Sequence, residues 1–208
     1  MYLLIGAINF QQYATTLLKE KVIKNLNVIL FSYIKVNINA LEKPMTQTNA
    51  ISITLVDYQD PQQMVYLIQQ LSAYALDEMG GGQDLSEEVK QRLFTDLPHQ
   101  KQNFSLLAWV GSECVGMTNC LWGYSTFAAQ PLVNIHDLGV QKEYRGMGIS
   151  TALLQAIEEH ASTKNACKVT LEVLGNNHIA KASYHKFGFK AYELTAGAGK
   201  AEFWQKCL

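Results

Sequence analysis

Gly146 and Gly148 lie in the run Val140-Gln141-Lys142-Glu143-Tyr144-Arg145-Gly146-Met147-Gly148-Ile149-Ser150, where a strand pattern gives way to a helix pattern. Glycines at such a junction let the backbone approach a ligand closely and turn its N–H groups towards it. The first helical turn adds N–H donors that lack intrahelical partners, and the positive end of the helix dipole. Together these make a site for an anion such as a pyrophosphate. The alternative is a tight strand-to-helix turn that binds nothing. A P-loop is excluded, because no Gly-Lys-Ser/Thr follows. The dinucleotide pattern Gly-x-Gly-x-x-Gly does accommodate Gly146 and Gly148, and Glu172 at the end of the next strand mimics its ribose-binding acid. Two features oppose that reading: Thr151 stands where the third glycine belongs, and a charged lead-in from Gln141 to Arg145 precedes the first one.

The elements that must position this turn are legible from Met45 onwards. Ile51–Val56 alternates apolar and polar residues as a half-buried strand does. Asp60-Pro61 opens a helix, carried on by Met64, Ile68, Leu71, Ala75 and Met79 and closed by Gly80-Gly81-Gly82. Ser86 with Glu87 and Glu88 starts a second helix, which stops before Pro98. Phe104–Val110 and Val115–Leu121 read as strands about the turn Gly111-Ser112-Glu113. A long strand is predicted at Val133–Val140, then a helix with Ile149, Leu153, Ala156 and Ile157 on its apolar face. Lys168–Leu174 reads as a strand and Ala180–Phe187 as a short helix, with closing strands at Lys190–Leu194 and Glu202–Lys206. Trp109, Trp122 and Trp204 read as core residues.

The turn resembles the GNAT superfamily of N-acetyltransferases, which carries Gln/Arg-x-x-Gly-x-Gly/Ala after a strand ending in Val. Arg145, Gly148 and Ser150 occupy those places, Ser150 departing from the pattern while remaining small. A second block agrees: the family's Asn-x-x-Ala-x-x-x-Tyr followed by Gly-Phe is matched by Asn177, Ala180, Tyr184 and Gly188-Phe189. The resemblance covers nearly all of residues 45–208. It implies an α/β (α+β) fold of three layers, with a central mixed, mostly antiparallel, splayed sheet flanked by helices. It implies acetyl-CoA as acetyl donor, and family members are often homodimers. By position, Arg145, Gly146, Met147, Gly148, Ile149, Ser150 and Thr151 would hold the CoA pyrophosphate. Leu138, Gly139 and Val140 would pair with pantetheine like an added strand, an N–H near Leu138 polarising the acetyl carbonyl. Asn177 would bind pantetheine or a water, or serve only as a helix cap.

Direct attack of an amine on a thioester raises two proton problems. A lysine-like amine, pKa about 10.4, must first lose a proton, and a departing thiolate, pKa about 8.5 by analogy with Cys, leaves more readily once protonated. Tyr184 matches the family tyrosine beside the sulfur and is the expected general acid. His136 and Asp137 sit on the strand bordering the acetyl group: the imidazole as base, the carboxylate orienting a cationic amine or acting through water. Neighbours on a strand point to opposite faces, so both enter the cleft only if the strand bulges. Glu172 is a third candidate. Tyr124-Ser125-Thr126-Phe127 is similar to diamine and thialysine acetyltransferases, which carry an acidic pair where this chain has His136-Asp137. Asp77 and Glu78 could line an acceptor pocket, or be solvated helix-end charges.

Composition frames these expectations. A chain of 208 residues with 48% hydrophobic residues can fill the core of one domain. A formal net charge of -1 gives no support to a nucleic-acid partner. The apolar runs at 2–8 and 28–34 are too short for a bilayer, which takes about 20 residues. No signal-peptide pattern is present, and no Cys-x-x-Cys or zinc spacing, so a cytoplasmic, thiol-reduced, metal-free protein is expected. The Asn- and Lys-rich residues 1–44 read as an extension outside the folded domain of 45–208, with a helical arm packed on that domain as the alternative. The leading function is acetyl transfer to a small-molecule amine, amino-acid-like or polyamine-like. A protein N-acetyltransferase and a non-catalytic acyl-CoA-binding regulatory module are the alternatives.

Overall fold

The computed structural model describes residues 50–193, 195, 197, 199 and 201–207. The domain boundary near Met45 and the segment 1–44 lie outside the described residues. Five strands form one open sheet in the order β1 (Ile51–Leu55), β2 (Asn103–Val110), β3 (Glu113–Ser125), β4 (Gln130–Val140), β5 (Val169–Leu171). The first four strands are antiparallel neighbours, and β5 runs parallel to β4. Helices α1 (Pro61–Leu76) and α2 (Glu87–Asp96) follow β1, α3 (Ile149–Ser162) links β4 to β5, and α4 (His178–Phe187) follows β5.

Local chemistry explains where the helices begin. Asp60 caps α1 by accepting from Gln62 N at 2.8 Å, and Pro61 supplies a first residue with no N–H to satisfy. Ser86 caps α2 by accepting from Val89 N. The α1 pattern extends to Met79, but the helix stops at Leu76. Asp77 turns extended and caps a short 3-10 turn from Glu78 to Gly80.

The sheet is buried on both faces. Against one face α1, α2 and the turn that follows α2 pack Met64, Leu67, Phe94 and Leu97 on Leu107 and Met117. Against the other, α3 sets Ile149, Leu153, Leu154 and Ile157 on Phe104, Leu106, Ala108, Val133 and Ile135, with Tyr184 and Phe187 of α4 at the margin. Each fully buried aliphatic side chain contributes about 1.5–3 kcal/mol, so these two layers fix the sheet and the positions of β4 and α3.

Three expectations are corrected at the C-terminal side. The strand after α3 is only Val169–Leu171, not Lys168–Leu174, because β5 leaves the sheet after its third residue. The described residues of Lys190–Leu194 and Glu202–Lys206 form no strand. Trp204 is 82% exposed and is no core residue, whereas Trp109 and Trp122 pack against the two cores as expected.

Candidate active site

The site begins where two strands part. β4 and β5 pair at Val133↔Val169, Asn134↔Thr170 and Ile135↔Leu171, and there the ladder ends. β4 continues to Val140 while the chain after Leu171 departs, so this edge of β4 is unpaired from His136 to Val140 among the described residues. An unpaired edge is a template for an extended ligand. Leu138, Gly139 and Val140, the expected pantetheine contacts, all lie on it.

At the same point β4 bulges. Asn119 faces Asp137 and Cys120 faces Ile135, so His136 is the extra residue. The bulge reverses the side-chain alternation. Val133 and Ile135 pack towards α3, and so do Leu138 and Val140, an odd step along a strand. Asp137 and Gly139 are thereby turned to the α1 face, where a Cβ on Gly139 would lie 3.0 Å from Cβ of Tyr74. The strand thus carries the bulge that a shared use of His136 and Asp137 requires. His136 is exposed on the bulge, and Asp137 is half-buried with its Oδ2 accepting from Asn119 Nδ2 at 2.9 Å.

The glycine turn follows. A 3-10 turn at Lys142–Tyr144 leads to Gly146 at φ 80° and Gly148 at φ 89°, both left-handed. A Cβ at either would meet open space, so conformation rather than crowding demands glycine there. Gly148 caps α3 with no side-chain hydrogen bond, and the ladder opens with Ala152 N to Gly148 O at 3.0 Å. The N–H groups of Ile149, Ser150 and Thr151 therefore precede that ladder, at the positive end of the helix. Met147 is exposed beside them, as is Thr151. Ser150, where the family pattern has Gly or Ala, places its Oγ 3.4 Å from Ser183 Oγ on α4, so the hydroxyl lies against a neighbouring helix.

The Arg145 side chain is engaged within the protein. Its Nε donates to Val140 O at 3.0 Å and its Nη2 to Asp77 Oδ2 at 2.6 Å. The guanidinium folds the turn and ties it to the end of α1. Asp77 is itself engaged by the turn: Arg145 and the Met79 N–H hold its carboxyl below the usual carboxylate range. Gln70 and Gln141 add a second tie between α1 and the turn, both donating to Cys114 O. Between α1 and the end of β4 lies a cleft of about 300 Å³ lined by Tyr74, Asp77, Gly139, Val140, Gln141 and Arg145.

Tyr184 lies on α4, half-buried, its ring edge-on to Phe189 at 5.8 Å. Burial pushes its phenol above the ordinary value, and nearby Tyr74 adds to the rise. The Tyr74 phenol is raised by burial and then by the negative charges of Asp137 and Asp77. Tyr74 is thus felt electrostatically by Tyr184 and feels Asp137 and Asp77. Asn177 caps α4, its Oδ1 accepting from Ala180 N at 3.0 Å, so its side-chain oxygen has a structural duty. Glu172 lies just past β5, exposed, and accepts from Asn134 Nδ2 at 3.3 Å.

Sequence reasoning missed Tyr74 and Asn119. Tyr74 sits inside the apolar repeat of α1 and reads as core. Asn119 carried a signal, a polar residue in the apolar run Val115–Leu121.

This arrangement fits the ligand expected of it: an unpaired strand edge for an extended amide chain, leading into main-chain donors for a diphosphate. The acetyltransferase (GNAT) family profile matches residues 67–189, which span β2 to β5 and both expected motifs. The chain belongs to the GNAT family. Its relatives include N-alpha-acetyltransferase 30 of Schizosaccharomyces pombe, 30% identical over 119 residues, covering 53% of this chain and 73% of that protein. An N-alpha-acetyltransferase of Sulfurisphaera tokodaii is 37% identical over 117 residues, covering 53% of this chain and 70% of that protein. Among solved structures, an aminoglycoside acetyltransferase from an uncultured soil metagenomic sample superposes with a TM-score of 0.61 at 17% identity, covering 76% of this chain and 97% of that one. At such identity the likeness shows the fold alone, and the fold is that of a GNAT enzyme. This GNAT chain is an N-acetyltransferase, and the family generally uses acetyl-CoA as donor.

Proposed function

We propose that this enzyme transfers the acetyl group of acetyl-CoA to the α-amino group at the end of a polypeptide. The observation that carries the site assignment is the parting of β4 from β5 directly upstream of the left-handed Gly146 and Gly148. In this reading the main-chain N–H groups from Gly146 to Thr151 hold the diphosphate, and the edge from Leu138 to Val140 lines up pantetheine. Bound there, acetyl-CoA supplies an activated thioester to an attacking amine.

The side chains divide the proton work. Asp137, turned to the α1 face by the bulge, receives the acceptor ammonium and orients it. His136, exposed on the same bulge, takes the proton lost on attack. Tyr184, kept protonated by burial, gives a proton to the departing sulfur. Glu172 stands on the far side of the split, already engaged by Asn134.

An α-amino acceptor suits this arrangement better than a lysine-like amine. An α-amino group has a pKa of about 7.7–8.0 against about 10.4 for a lysine, so near neutrality it reaches its nucleophilic form with little help. The two relatives just described are N-alpha-acetyltransferases, which supports the polypeptide end over the small amine favoured by sequence reading. Four unpaired cysteines suit a reducing, cytoplasmic setting.

The test is CoA-thiol release with a panel of acceptors: free-N-terminus peptides of varied first residue, the same peptides with a blocked N-terminus and a free lysine, and polyamines. The reading expects kcat/KM for a free-N-terminus peptide to exceed the other two classes by at least about tenfold. Faster turnover of a polyamine or of the blocked lysine peptide overturns the acceptor assignment.

A further inference from the structure

A row of polar side chains crosses the face of the sheet beneath α1. Ser105 on β2, Asn119 on β3 and Asp137 on β4 stand directly opposite one another in consecutive ladders. Leu107 and Met117 flank the row on the same face. Polar groups in such surroundings cost free energy unless they are hydrogen bonded. Here they are bonded in series. Tyr58 Oη lies 2.7 Å from Ser105 Oγ, Ser105 Oγ lies 2.6 Å from Asn119 Oδ1, and Asn119 Nδ2 lies 2.9 Å from Asp137 Oδ2.

The series has one direction. An ionised carboxylate only accepts, so Asn119 must turn its Nδ2 to Asp137 and its Oδ1 to Ser105. The flipped amide would set two acceptors face to face. Ser105, 1% exposed, then gives its single proton to Asn119, and Tyr58 must donate to Ser105. Burial raises the Tyr58 phenol and keeps that proton in place. Every donor points towards Asp137. The bulge at His136 is what brings Asp137 into the row; in a regular strand His136 would stand opposite Asn119. Among the described residues Asp137 Oδ1 takes no hydrogen bond.

We infer that Tyr58, Ser105 and Asn119 are positioning residues for acetyl transfer: their one-way chain holds one oxygen of the Asp137 carboxylate and presents the other to the acceptor ammonium. The inference rests on the reading of Asp137 given above. Fixed dipoles aimed at a charged group need not reorganise when the substrate arrives, and supporting contacts of this kind set how well such a group is held.

A double-mutant cycle tests it, with the full chain and a free-N-terminus peptide as acceptor. Asn119→Ala lowers kcat/KM for the peptide about tenfold and leaves the KM for acetyl-CoA unchanged. In an Asp137→Ala background the same substitution costs less than about twofold, because its target is gone. Tyr58→Phe keeps the ring and its packing and removes only the proton. It lowers the same parameter about two- to threefold, again only while Asp137 is present, and keeps the cycle readable if Asn119→Ala fails to fold. Equal losses in both backgrounds mean these residues act independently of Asp137 and overturn the inference. An Asp137→Ala variant as active as the parent removes the role of Asp137 itself and overturns both readings, a result distinct from an additive cycle.

Discussion

Replacing Gly148 by Ala should separate a folding role from a binding role at one atom. Gly148 sits at φ 89°, and a Cβ there meets nothing within 4 Å, so the substitution introduces strain but no clash. A non-glycine residue in the left-handed region costs about 1–2 kcal/mol, and stiffening the unfolded chain returns about 0.4–1 kcal/mol. The net loss of about 1 kcal/mol should lower Tm by about 2–4 °C. The binding effect is larger. If the backbone relaxes out of the left-handed well, the N–H groups at the start of α3 swing away from the diphosphate. One lost hydrogen bond to a charged oxygen is worth about 1.5–3 kcal/mol, or roughly 10- to 150-fold in Kd. Calorimetric titration with CoA at fixed ionic strength reads the second number and thermal melting the first. Gly188, at φ 110° after α4, is the control: Gly188→Ala should show a similar melting shift with Kd unchanged. A Gly148→Ala protein with lowered Tm and unaltered CoA affinity would refute the assignment of the turn as the diphosphate site.

Tyr184→Phe keeps the ring against Phe189 and removes the proton. It should lower kcat about 100-fold while CoA affinity stays within about twofold, as steady-state kinetics and titration will show; an unchanged kcat ends the acid role. Burial pushes the Cys114 and Cys120 thiols up to about 12 from an ordinary 9.0. Between those values the folded state holds protons that the unfolded chain has lost. Stability should therefore be complete below about pH 9 and fall by about 1.4 kcal/mol per pH unit per thiol as pH rises towards 12. Urea unfolding from about pH 8 to about pH 11 follows the onset of that slope, which a Cys114→Ala/Cys120→Ala variant should flatten.

Much of the fold was legible because its signals are local. Asp60-Pro61 and Ser86 mark helix starts by capping chemistry, and the spacing of Ile149, Leu153 and Ile157 marks the buried stripe of α3. The glycine turn was readable for the same reason, since a left-handed residue before a helix leaves few choices but glycine. What escaped depends on contacts distant in sequence. The role of Arg145 is set by Asp77, which lies 68 positions earlier and meets it only when α1 crosses the end of β4. The facing of Asp137 is set by a bulge, which shows in the sequence only as a break in alternation between Ile135 and Leu138 and acquires a direction only from the pairing with β3. The row Ser105, Asn119 and Asp137 needs the register of three strands before it exists. At the C-terminal side, apolar alternation over Lys190–Leu194 and Glu202–Lys206 suggested strands, but alternation alone does not supply a partner edge, and β5 has already left the sheet.

The most direct measurement is a crystal structure of the full chain with CoA bound. The account predicts diphosphate oxygens within hydrogen-bond distance of main-chain nitrogens between Gly146 and Thr151, with pantetheine running along Leu138 to Val140 and its sulfur beside Tyr184. Diphosphate density away from that turn, or pantetheine lying on any strand edge other than that of β4, would contradict it.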